Sequence, residues 1–98
     1  MLSNISIVEF KKLITSSNLN IIDIRNSRCY NNNHILNAIN IPNELLILNP
    51  SKYLNKNSKY FIYCRKGMTS QNTCRILLKQ GYKVVNIIGG YEEWILQN

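Results

Sequence analysis

A chain of 98 residues that is 45% hydrophobic has room for one compact domain with one core, spanning residues 1–98, and little room for a second. Three cysteines at positions 29, 64 and 74 form no Cys-x-x-Cys pair and have only His34 as a further soft ligand, which argues against a disulfide framework and against a metal site. No apolar stretch approaches the roughly 20 residues that cross a bilayer, and Met1 to Lys12 lacks the charged lead, apolar run and cleavage site of a signal peptide, so the expectation is a cytoplasmic protein with no membrane partner.

Ser6-Ile7-Val8-Glu9 has capping-box spacing and predicts a helix through Phe10, Leu13 and Ile14 that ends near Ser16 or Ser17. Leu19 to Ile24 is short, β-branched and nearly continuous, as suits a strand buried on both faces of a parallel sheet. Asn26 to Asn33 is polar and turn-rich, and Ala38 to Ile41 is a brief β-like run closed by Pro42. Glu44 to Leu54 predicts a loose helix that Pro50 interrupts or restarts. Tyr60 to Tyr63 predicts a strand that delivers the chain to Cys64, followed by the loop Arg65 to Thr69 and a helix from about Ser70 to Gln80 that Gly81 stops. Lys83 to Ile88 is another buried strand, Gly89-Gly90 a turn, and Tyr91 to Leu96 a last short helix bearing Trp94. Strands thus alternate with helices, which predicts an α/β fold: a parallel β-sheet flanked by helices on both faces.

The net charge of +7 is unevenly placed. No acidic residue lies between Glu44 and Glu92, a stretch holding Lys52, Lys56, Lys59, Arg65, Lys66, Arg75, Lys79 and Lys83. A basic half-molecule concentrates anions without choosing among them. The abundance of Asn, Lys and Ile also fits codon bias, so part of this charge is expected to carry no function.

In an open parallel sheet, ligands bind beyond the carboxyl ends of the strands. That edge should hold Asp23 with Arg25, Cys64, and Gly89 with Gly90. Cys64 ends a strand a few residues before a helix, so loop and helix N–H groups can converge on its sulfur, an arrangement that suits an anionic nucleophile. Arg65 and Lys66 add positive charge, and Gly67 permits backbone geometry closed to other residues. An isolated cysteine at a strand end is ordinarily a small buried residue; the run of strand, Cys, basic pair, Gly and helix is what singles Cys64 out. Cys74 shares a helix face with Leu77 and Leu78 and reads as core. Cys29, in a polar loop, stays open as a thiol that resolves Cys64.

These segments together resemble the rhodanese-like family: I-I-D-I-R at 21–25, Y-N-N-N-H-I-L-N-A-I-N-I-P at 30–42, Y-C-R-K-G-M-T-S at 63–70, G-Y-K-V-V-N-I-I-G-G at 81–90, and Trp94. The resemblance implies a thiosulfate sulfurtransferase that needs no cofactor, works through a Cys64 persulfide, and passes sulfur to cyanide, a thiol or a protein acceptor. It further implies that the loop residues Arg65, Lys66, Gly67, Met68, Thr69 and Ser70 bind the substrate, with Arg65 and Lys66 steering the anion and Asp23 and Arg25 in support. C-R-K-G-x-T is similar to the loop of the two-domain thiosulfate-using enzymes, which supports thiosulfate as the donor. Where the family carries acids shortly after D-x-R, this chain has Asn26 and Arg28, so Arg25 is expected to lack its usual partner. His34 is expected to pack and hydrogen-bond rather than to act in chemistry. A monomer is expected.

Other readings differ in what they require. A phosphatase of the same architecture needs an Arg closing the loop, where this chain has Thr69, Ser70 and Gln71. A nucleic-acid module needs exposed aromatic residues among the basic ones, and is not favoured. A sulfur carrier or regulatory binding module with little turnover of its own is the alternative that the sequence leaves in place.

Overall fold

The computed structural model describes residues 2–97. Along the chain the elements are β1 (Ser3–Ile5), α1 (Ile7–Ser16), β2 (Asn20–Asp23), α2 (Ser27–Asn32), β3 (Ile39–Asn40), α3 (Asn43–Leu48), α4 (Pro50–Tyr53), β4 (Lys59–Tyr63), α5 (Met68–Lys79), β5 (Lys83–Ile87) and α6 (Gly90–Leu96). The strands form one sheet in the order β1-β5-β4-β2-β3, and every ladder is parallel.

Side-chain alternation divides the core in two. Ile22, Ile62 and Val84 face the layer built from α3, α4 and α5, where Leu46, Leu54, Cys74 and Leu77 meet them. Ile21, Phe61, Val85 and Ile87 face Ile7 and Phe10 of α1, with Tyr91 and Trp94 of α6 packed alongside. Strands buried on both sides carry nearly continuous apolar runs, which is why β2, β4 and β5 could be found from sequence. The α/β architecture with helices on both faces is as expected.

Several boundaries and elements differ. The polar segment expected to be a turn region contains α2, because the Asn26 side chain accepts from the Cys29 N–H at 2.9 Å and caps a helix. Helix α5 begins at Met68 rather than near Ser70, directly after Gly67, whose φ of +94° makes the turn out of the loop. Strand β1 was not anticipated: its three residues, Ser-Asn-Ile, carry no pattern of their own and are defined by pairing with β5. As the proline predicts, α3 stops at Leu48 and Pro50 opens α4. Ser6 caps α1 by accepting from the Glu9 N–H at 3.1 Å.

The chain leaves β2 outward to β3, and leaves β4 in the opposite direction to β5. The adjacent pair β2 and β4 is therefore the switch point of the sheet, and the crevice beyond their carboxyl ends is where a ligand fits.

Candidate active site

A cavity of about 570 Å³ opens at that switch point. Ile24, Arg25 and Asn26 after β2, Cys29 of α2, Cys64, Arg65 and Thr69 after β4, and Tyr91, Glu92 and Ile95 of α6 form its walls. Cys64 is 7% exposed. The Gly67 and Ser70 N–H groups each donate to its Sγ at 3.2 Å. Two backbone donors at the head of α5 thus converge on one sulfur and leave its remaining side to the cavity.

Ser70 is fully buried. Its Oγ accepts from Cys64 Sγ at 3.3 Å and donates to Asn86 Oδ1 at 2.6 Å. Asn86 Nδ2 donates in turn to Asn4 Oδ1 at 3.1 Å, tying the loop through β5 to β1. An amide inside the apolar run of β5 was a readable signal that something polar had to face it, but its partner lies 16 residues away in sequence.

Two contacts from α6 fix the far side of the loop. The Tyr91 N–H donates to the Cys64 carbonyl and the Glu92 N–H to the Arg65 carbonyl, both at 2.9 Å. This approach requires Gly90, where a Cβ would run into those same two carbonyls. Gly67 is equally confined, since a Cβ there would stand 2.7 Å from the Gly89 nitrogen.

Asp23 is fully buried on the other face of the sheet. Arg25 donates to it through Nε at 3.1 and 3.0 Å and through Nη2 at 2.7 Å, and reaches the Asn33 carbonyl at 2.6 Å. The expectation that Arg25 lacks a partner is corrected: the acid two residues earlier replaces those missing downstream. Burial works against the guanidinium charge, but the bonds to Asp23 outweigh it and hold Arg25 above its ordinary value. Tyr63 donates to Asp23 at 2.6 Å and accepts from the Ile35 N–H at 3.1 Å; burial first, and then Asp23, push its hydroxyl well above the usual phenol range. Arg25 lies over the Tyr91 ring at 4.1 Å. A fixed cation therefore stands in the cavity wall, held from behind.

The loop residues divide by position. Arg65 lines the cavity and pairs with Glu92 at 3.0 Å, with both side chains substantially exposed. Thr69 also lines it, whereas Lys66, Gly67 and Met68 border a neighbouring depression with Asn86 and Gly89. His34 stacks on Tyr30 at 3.8 Å, outside the cavity walls, with Nδ1 2.8 Å from the Tyr30 carbonyl. Cys74 is fully buried among leucines, as expected. Burial first, and then the nearby Cys64, push its thiol up to about 12. No group of three or more metal-ligating side chains occurs among the described residues.

A family model described as the rhodanese-like domain matches residues 6–97. The thiosulfate sulfurtransferase GlpE of Coxiella burnetii is 33% identical over 95 residues, covering 96% of this chain and 88% of that one. YrkF of Bacillus subtilis, provisionally named a sulfur carrier protein, is 34% identical over 92% of this chain, which spans 49% of its length. The crystal structure of a rhodanese-like domain protein from Staphylococcus aureus superposes with a TM-score of 0.86 at 30% identity, covering 95% of this chain and 91% of that one.

Proposed function

The chain belongs to the rhodanese-like family, and from that premise we propose that it takes a sulfane sulfur from thiosulfate, or from a persulfide donor, and passes it to a thiophilic acceptor through a persulfide on Cys64. The observation that carries this reading is the pair of N–H groups from Gly67 and Ser70 at 3.2 Å from a sulfur facing a cavity. Donors fixed in this way favour negative charge on that atom without reorganising during reaction.

In the first half-reaction the Cys64 thiolate attacks the outer sulfur of thiosulfate. The bond between the two thiosulfate sulfurs breaks, and sulfite leaves with the electron pair. Arg25 and Arg65 in the cavity walls bind the sulfonate end, while Lys66 adds to the field that draws the anion in. In the second half-reaction cyanide, a thiol or a protein thiol attacks the outer persulfide sulfur, and Cys64 leaves as the thiolate that the two N–H groups receive. Neither step calls for a cofactor, and the cycle suits a reducing compartment such as the cytoplasm.

The test is the intact mass of reduced protein after incubation with thiosulfate. The expected result is a gain of one sulfur atom that added thiol removes and that Cys64→Ser lacks. No gain would overturn thiosulfate as donor. The provisional name of the Bacillus relative favours a second reading, a carrier loaded only by a partner's persulfide; it predicts the gain with a persulfidated donor protein and not with thiosulfate.

A further inference from the structure

The cavity holds a second nucleophile. Cys29, exposed on α2, shares its walls with Cys64 and with Arg25. We infer that Cys29 is a second sulfur-carrying site, a relay thiol that receives the sulfane sulfur from Cys64 across the cavity and presents it at the protein surface. The inference rests on the persulfide reading above.

The geometry selects which sulfur is attacked. Sγ of Cys64 is buried against the loop, with Gly67 and Ser70 donating to it. A sulfane sulfur attached to it would extend into the open cavity and be the atom within reach. The Cys29 thiolate attacks that outer atom and forms a new S–S bond; the bond from the outer sulfur to Cys64 Sγ breaks, and its electron pair stays on Cys64 as thiolate. Cys29 becomes the persulfide. No net oxidation occurs and no reductant is consumed, since sulfur moves between two thiols. Both N–H donors favour this direction by stabilising the departing Cys64 thiolate, and Arg25 stands in the same cavity wall as Cys29. Cys74, fully buried behind Cys64, has no access to the cavity. The relay would let a bulky acceptor take sulfur from an exposed helix instead of reaching the cavity floor.

The test maps sulfur by position. Lys52, Lys59, Arg28, Arg65, Lys66 and Arg75 place the three cysteines on separate tryptic peptides. Reduced protein is loaded with thiosulfate, desalted, alkylated at successive times and digested. Sulfur is expected on the Cys64 peptide first and then on the Cys29 peptide, with a rate constant unchanged on dilution. In Cys29→Ser it should remain on Cys64, and in Cys64→Ser neither peptide should gain it. Sulfur confined to Cys64, arrival on Cys29 that slows on dilution or persists in Cys64→Ser, or sulfide release with a Cys29–Cys64 disulfide would each overturn the relay while leaving Cys64 a carrier. The same mapping is run with a persulfidated donor protein, and sulfur on neither peptide with either donor would overturn the carrier reading and the relay together.

Discussion

Ser70 has one hydroxyl proton and three neighbours that bear on it: Cys64 Sγ at 3.3 Å, the Gly67 carbonyl at 3.3 Å and Asn86 Oδ1 at 2.6 Å. The shortest of these is the bond to Asn86, which fixes the hydroxyl oxygen toward the sulfur. A double-mutant cycle of Ser70→Ala and Asn86→Leu should give a coupling of about 1 kcal/mol in urea denaturation, within the range for directly bonded buried groups; additive effects would show that the pair does not act as a unit. Asp23→Ala leaves Arg25 and Tyr63 without their shared acceptor and should cost about 3–5 kcal/mol, read as a lower urea midpoint. At this scale the placement of Cys64 and its loop between a strand and a helix was legible because strand, cysteine, glycine and helix are contiguous. Asn86 and Tyr63 were not, because their partners, Ser70 and Asp23, are brought to them only by the sheet.

Helix α6 shows how a short element shapes the candidate site without supplying its cysteine. Its first N–H groups hold the carbonyls of Cys64 and Arg65, and Gly90 at φ +58° is what permits the approach. Gly90→Ala combines a left-handed backbone with a blocked contact, so it should destabilise by about 1–3 kcal/mol. It should also slow sulfur loading of Cys64 in a time-resolved mass measurement, more than thermal melting alone would explain; a normal loading rate in folded protein would count against the clamp. Among the elements, β2, β4, β5 and the Pro50 break were readable because burial on two faces or a missing N–H leaves a local mark. Strand β1 and helix α2 were missed for opposite reasons: β1 exists only by pairing, and α2 is short, has no apolar stripe beyond Tyr30, and starts from one Asn cap.

Across the molecule, charge and burial make separate predictions. The basic stretch from Lys52 to Lys83 acts at a distance, so Lys66→Ala should raise the KM for thiosulfate with kcat little changed. The difference should shrink as salt shortens the Debye length to about 8 Å near physiological strength; a salt-independent effect would mean direct contact. Burial acts on alkaline stability. The unfolded chain releases the Cys74 proton near the ordinary value of 9.0, and the folded chain only near about 12. Between these values the unfolded state binds fewer protons, so stability falls as pH rises through that window and is unaffected by this group below it. Tyr63, also raised, adds to the loss above its ordinary 10.0. Urea midpoints should decline from pH 9.0 upward, less steeply in Cys74→Ala, and a flat profile would contradict both shifts. Tyr82, an aromatic residue within this basic stretch, is 5% exposed and has no free face to offer a base, in keeping with a nucleic-acid module not being favoured.

The strand order carries one more consequence. The borders of the sheet are its shortest strands, the three residues of β1 and the two of β3, while Cys64 follows directly from β4 in the middle. Amide protons at the borders should therefore trade with solvent through small local openings, and those of Phe61 and Ile62 only when the whole domain opens. The two N–H groups that converge on the Cys64 sulfur hang from the part of the chain that opens last, so fraying at the margins can proceed without disturbing them.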